Sequence, residues 1–206
     1  MKVYLAGKVK KHCWRHDVVK GLREALHCDV MSPWPELYHS IFNTHNYVGP
    51  YFASCDHGCN HGSNMHGNGL GRDWICGGDN PPERQTIIHR CFAAIKSADL
   101  VFAWIDSADC YGTIAELGYA AALNKQIKIA VSEDHVLAWD RWRKAGYDDM
   151  HGDIEDCPDP PVLADLWFPL MLGDRIVADN PVQGLAYAIF GRNTVEALQS
   201  VATVNV

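Results

Sequence analysis

Residues 99–105, DLVFAWI, carry six apolar side chains in a row after Asp99. A strand with one wet face alternates apolar and polar residues, so an unbroken run suits a strand covered on both faces. The next segments extend the pattern. GTIAELGYAAALNK (112–125) reads as a helix and QIKIAVS (126–132) as another strand. A helical crossover between two buried strands makes them parallel neighbours in an α/β sheet. The helix therefore starts where the buried strand ends, and it carries a glutamate, Glu116, in its first turns. A carboxylate at that place needs a reason.

The remaining segments fit the same class. VYLAG (3–7) reads as a short buried strand ending in a glycine turn. RHDVVKGLREALH (15–27) is apolar at 18, 19, 22, 25 and 26, a helical period. CDVMSP (28–33) reads as a second short strand stopped by proline, and 82–98 as an amphipathic helix with Pro82 near its start. Residues 135–147 read as a helix, LADLWFPLML (163–172) as a weaker strand interrupted by Pro169, and 180–191 as a late helix. The sequence thus predicts one α/β domain over 1–206, a doubly wound parallel sheet of about five strands. A long loop rich in His, Cys and Gly is inserted at about 33–83. A C-terminal extension covers about 148–206 and opens on an acidic, proline-rich loop. Ligands of such sheets bind beyond the carboxyl ends of the strands. Three segments are expected to converge there: Gly7 to Arg15, the long loop, and Asp106 to Glu116.

Composition narrows the function. The chain has 206 residues, 48% hydrophobic and 21% charged, enough for a substantial core. A net charge of −7 argues against a nucleic-acid polymer as partner, which calls for a basic face. The apolar stretch at the start is too short for a signal-peptide core, and no run approaches a membrane span. The expectation is a cytoplasmic protein with no membrane partner, its eight cysteines thiols or metal ligands.

VYLAG at the start, AAIKSADLVFAWID in the middle and YGTIAELGYAAALNKQIKIAV after it resemble the nucleoside 2-deoxyribosyltransferase family. The likeness covers roughly 1–31 and 82–132, and the Gly-Thr-x-x-Glu-Leu-Gly-Tyr-Ala pattern (112–120) is its most specific part. It implies a flavodoxin-like fold and chemistry at C1′ of a nucleoside or nucleotide. By position Glu116 matches the family nucleophile, which forms a covalent glycosyl-enzyme. Elementary chemistry agrees. N-glycosidic cleavage passes through an oxocarbenium-like state, and a carboxylate beside C1′ stabilises and traps it. Leu117, Tyr119 and Ala120 are expected to anchor the helix and hold Glu116 rigid.

Two positions depart from the family. An aspartate is often found eight residues ahead of the Asp of the Ala-Asp pair, and another six residues before the nucleophile. Cys91 and Cys110 stand there instead. Asp106 and Asp109 are the nearest acids and complete the candidate catalytic set, either holding the sugar or base or capping the following helix. At the N-terminal turn Gly7 allows close approach of a ligand, Trp14 offers a stacking face, and Lys8 and Arg15 offer charge to a 5′-phosphate. With Tyr4, Arg90, Gly112 and Thr113 they form the candidate substrate-binding set.

The stretch 51–80 holds Cys55, His57, Cys59, His61 and His66 within twelve residues. Cys55, Cys59, His61 and His66 are candidate ligands of a structural zinc that staples the loop. The other reading is an active-site loop in which Asp56, His57 and His61 contact substrate and a histidine protonates the leaving base.

The function expected is transfer of a (deoxy)ribosyl group between bases, with a small-molecule nucleoside or nucleotide as partner. No redox or nucleotide cofactor is needed, and assembly as a homo-oligomer, at least a dimer, is expected. The first alternative is an N-glycoside hydrolase of nucleoside 5′-monophosphates or NAD-like dinucleotides. The second is a non-catalytic nucleotide-sensing module that kept the fold, and a weaker one is a zinc-stabilised partner-binding protein.

Overall fold

The structure, a computed structural model, describes residues 1–8, 14–18, 45–49, 84–147 and 160–197. Its strands are β1 (Lys2–Gly7), β2 (Asn46–Val48), β3 (Leu100–Ile105), β4 (Gln126–Ser132) and β5 (Asp174–Ala178). Its helices are α1 (Arg15–Val18), α2 (Arg84–Ser97), α3 (Tyr111–Ala122), α4 (Glu133–Lys144), α5 (Val162–Asp165), α6 (Trp167–Leu170) and α7 (Pro181–Phe190). The chain is helical again at 192–197.

The strands form one sheet in the order β2-β1-β3-β4-β5, and every pairing is parallel. This is the flavodoxin-like order, with its switch point between β1 and β3. All six residues of β3 are buried, as its apolar run predicts. Gly7 pairs with Trp104, so the carboxyl ends of β1 and β3 lie side by side at that switch point.

One strand lies where irregular loop was expected, and one expected strand is helical. Residues 28–33 lie outside the described residues, and the strand beside β1 is Asn46–Val48, inside the stretch read as irregular loop. Three residues are too few to show a period. LADLWFPLML is not a strand but the helices α5 and α6. Leu163, Leu166 and Leu170 are buried at helical spacing. Pro169 is the third residue of α6, where the missing N–H would have had no helical partner. The last strand, DRIVA, follows directly.

Both faces of the sheet are covered. Leu5 and Phe102 pair on one face. There Gly184 of α7 lets the helix approach so closely that a Cβ would lie 2.8 Å from Ala130 Cβ. Tyr4 alternates to the other face, where α3 and α2 pack against each other through a Phe92–Tyr119 ring stack at 4.2 Å. At the flank, Arg192 donates to the carbonyl of Val177 in β5.

Gly7 is fixed by its surroundings. Its φ is +132°, and a Cβ would stand 2.9 Å from the Trp104 carbonyl oxygen and 3.3 Å from Arg15 Nη2. Gly7→Ala is expected to cost about 1–3 kcal/mol through strain and displacement of the turn. Urea unfolding at neutral pH measures it.

Candidate active site

α3 begins six residues after β3 ends, across the turn of 106–110. That brings Glu116 back over the sheet one turn into the helix. The buried residues of α3 are Thr113, Glu116, Leu117 and Ala120, at i, i+3, i+4 and i+7, so the glutamate lies on the helix face directed at the sheet. Leu117 and Ala120 are fully buried and anchor that face. Glu116 itself is 8% exposed.

A carboxylate so placed needs partners. Tyr4 Oη donates to Glu116 Oε1 at 2.6 Å, a buried bond between residues 112 positions apart. Burial pushes the Glu116 carboxyl up to about 7. The Tyr4 bond, the nearby Arg15 guanidinium and a hydrogen bond with the Cys91 thiol each pull it back down. Tyr4 is itself held well above the ordinary phenol range, first by burial and then by the charge of Glu116. It therefore remains a donor at any physiological pH. The site carboxyl is poised near neutrality, the range in which enzymes place groups that exchange between charged and neutral forms.

Tyr4, expected among the substrate-binding residues, thus contacts the candidate nucleophile directly. A hydroxyl in an otherwise apolar strand was the signal in the sequence, since a buried phenol needs a partner. Cys91, noted only as a departure from the family pattern, is buried in the same cluster, and burial pushes its thiol up to about 12. It is neutral at working pH, so the Glu116 cluster contains no second carboxylate from α2. Cys110 is also buried and raised by burial, and it occupies the N-cap position of α3 without a side-chain cap bond.

Two of the three segments expected to converge do meet. Lys8, just past β1, forms an ion pair with Asp109 in the turn before α3. Asp109 is held below the usual carboxylate range, first by that hydrogen bond from Lys8. Asp106 is half-buried beside Ser107, and Ser107 Oγ lies 3.5 Å from its Oδ1. Asp106 and Asp109 leave the N-cap of α3 to Cys110. Thr113 is buried, Gly112 is exposed with open space around it, and Arg90 is half-buried on α2.

Arg15 is expected to offer its charge to a 5′-phosphate, and the structure seats it inside the β1 turn. It is fully buried, and its Nε and Nη2 donate to the carbonyls of Leu5 and Gly7 at 3.0 and 2.9 Å. Trp14 stacks under its guanidinium, with Cζ 4.9 Å from the ring centre, and meets Phe102 edge-on. Asp56, His57 and His61, and the metal set Cys55, Cys59, His61 and His66, lie outside the described residues. Among the described residues no group of three His, Cys, Asp or Glu is placed to hold a metal ion. Also among them, no helix is long and apolar enough to cross a membrane.

Tyr4→Phe isolates the hydroxyl, since ring packing survives. The Glu116 carboxyl then loses its strongest stabilising partner, so its titration is expected to move further up. Stability is expected to fall by about 1–2 kcal/mol at pH 8, where the ionised carboxylate is left short of a donor. Thermal unfolding at pH 5 and pH 8 checks the pH dependence.

A structure titled as a conserved protein from Enterococcus faecalis V583 resembles this fold, with a TM-score of 0.50 and 13% identity over 92% of this chain and 99% of that one. No curated protein sequence matches the chain. The family model for nucleoside 2-deoxyribosyltransferase matches residues 3–181, which include all of β1 but Lys2, the Lys8–Asp109 pair and the whole of α3. With most of its length inside that match, the chain belongs to the nucleoside 2-deoxyribosyltransferase family.

Proposed function

We propose that this protein cleaves the N-glycosidic bond of a (deoxy)nucleoside or nucleotide and passes the sugar to another base, with Glu116 as nucleophile. The observation that carries the reading is the buried Glu116 carboxylate, bonded to Tyr4 Oη at 2.6 Å and seated on α3 beside the sheet's switch point. A Glu116 carboxylate oxygen attacks C1′ while the C1′–N bond breaks. The electron pair of that bond leaves on the base, which takes up a proton. In the second step a nitrogen of the incoming base attacks C1′ and gives its proton to the group that protonated the first base, while the ester bond to Glu116 breaks and returns the carboxylate.

The acid that protonates the first base comes from Asp106, Asp109 or a histidine of the long loop. In the free protein Lys8 holds Asp109 ionised. The chemistry needs no redox or nucleotide cofactor. Self-association belongs to the same proposal. Trp167 and Phe168 of α6 and the neighbouring Met171 are 63, 58 and 78% exposed, an apolar patch suited to burial against another copy.

Chromatography of reactions with nucleosides, nucleotides and NAD, with and without a second free base, tests the function. A new nucleoside identifies a transferase. Free base alone moves the assignment to hydrolase. Tight binding without any product leaves the sensing module. Metal analysis of the purified protein tests the zinc set.

A further inference from the structure

We infer that the cavity between α4, α6 and the start of β5 is a second binding site, for a small planar aromatic ring that bears an anionic group. It lies apart from the Glu116 crevice. That crevice opens at the carboxyl ends of β1 and β3, whereas Gly173 and Arg175 stand at the amino end of β5, in a sheet whose strands all run one way. The site stands whether or not Glu116 is the nucleophile.

The cavity holds about 270 Å³. Pockets for drug-sized ligands run from roughly 300 to 1,000 Å³, so one small ring system and its substituent are the fitting load. Among the described residues the lining is aromatic and aliphatic but for one charge. Trp139 comes from α4, Trp167 and Leu170 from α6, and Met171, Gly173 and Arg175 from the segment that follows. Gly173 lies so close on β4 that a Cβ would stand 2.6 Å from the Ile127 carbonyl oxygen, so no side chain can fill the space from that position. Trp167 is 63% exposed and offers a ring face for stacking.

The polar part of the lining selects an anion. Strand alternation sends Asp174 and Arg175 to opposite faces. Asp174 pairs with Lys128 at 2.6 Å. Arg175 has no acidic partner among the described residues. Its guanidinium stands 5.7 Å from the centre of the Trp139 ring, and that of Arg143, one turn along α4, stands 5.3 Å from it. The Trp139 indole N–H is buried and meets no acceptor, a costly state for a donor. The cavity thus presents two donors, one of them cationic, and no acidic side chain. A flat ring carrying a carboxylate or a phosphate answers both donors and the apolar wall together. A neutral ring leaves the guanidinium unanswered. Trp167 and Met171 also belong to the patch suited to self-association, but Phe168 does not line the cavity, so Phe168 separates the two uses of this surface.

The test follows the Trp139 indole proton by NMR on the full chain at neutral pH, with Trp139→Phe identifying the signal. Benzoate and phenyl phosphate are the probes, since they carry a ring and an anion but no glycosidic bond. Benzyl alcohol is the uncharged control. At least one anion is expected to shift the signal saturably with Kd about 1 mM or tighter, and benzyl alcohol to bind about tenfold more weakly. The tighter anion tells a carboxylate ligand from a phosphate ligand. Arg175→Met, at an exposed position, is expected to weaken anion binding about tenfold and leave benzyl alcohol unchanged. Trp167→Ala is expected to weaken all three. Equal binding of anions and alcohol, or anion binding unaltered by Arg175→Met, overturns the inference. A shift seen only in Phe168→Ala supports a site that self-association covers. No shift up to about 10 mM in either wild type or Phe168→Ala overturns it, and sedimentation then reads whether a second copy holds the cavity instead.

Discussion

Glu116→Ala is expected to lower turnover by about 10^3-fold or more, equivalent to about 4 kcal/mol of barrier. Removal of the carboxylate takes away both the attacking group and the charge that stabilises the oxocarbenium-like state. Glu116→Gln is expected to do nearly the same, because an amide keeps the shape and the bond from Tyr4 but carries no charge. The wild-type rate is expected to follow the ionised fraction of Glu116. With the carboxyl near 7, kcat/KM rises with pH from about 6 and levels off above about 8. A profile flat across pH 6 to 8 in a Glu116-dependent reaction contradicts this. Rapid quenching without acceptor base, followed by mass spectrometry, reads the glycosyl adduct on Glu116 directly.

The second large effect is on stability, and it has the opposite sign from the usual loss. The Glu116 carboxyl rises from 4.5 to about 7 on folding. Between those values the folded state holds a proton that the unfolded state has released. Its contribution is therefore intact below 4.5 and declines as pH rises through 7. A glutamine cannot ionise and escapes this decline. Glu116→Gln is thus expected to be more stable than wild type at pH 8 by up to about 3 kcal/mol, with the gain vanishing at pH 4. Denaturant unfolding of both proteins at the two pH values measures it. A gain equal at pH 4 and pH 8 assigns the effect to packing, and no gain at pH 8 contradicts a buried, raised carboxyl. An inactive variant that is also more stable is the signature of a site held in place against the folding equilibrium.

The same contrast explains how far the chain could be read without coordinates. β3, α3 and β4 were legible because each signal is long: six apolar residues, a helical period of twelve, then seven strand residues. β2 was not, because Asn46–Val48 gives one alternation and no more. β5 was missed because Asp174 and Arg175 are exposed and its burial is partial, while the more apolar LADLWFPLML drew the assignment. The leucines of that stretch hold the helical spacing that decides its fate. At the site, the meeting of the turn after β1 with the turn before α3 was legible from the strand and helix order. The Tyr4–Glu116 bond joins residues 112 positions apart, and only the sheet order brings them together. The burial of Arg15 was not legible for a general reason. A charge in a sequence reads as surface, and only the paired carbonyls reveal why this one is inside.

β5 closes the described sheet on one side. An outer strand offers free amides and carbonyls to any other chain with strand character. Here the strand is five residues long, and it begins with an exposed acid and an exposed base. The Arg192 guanidinium already occupies the carbonyl of Val177. A second molecule that tried to add a strand there would have to displace a cation and bury its charge. The flank is thereby guarded against runaway sheet extension during concentration or partial unfolding. Arg192→Ala would free the Val177 carbonyl.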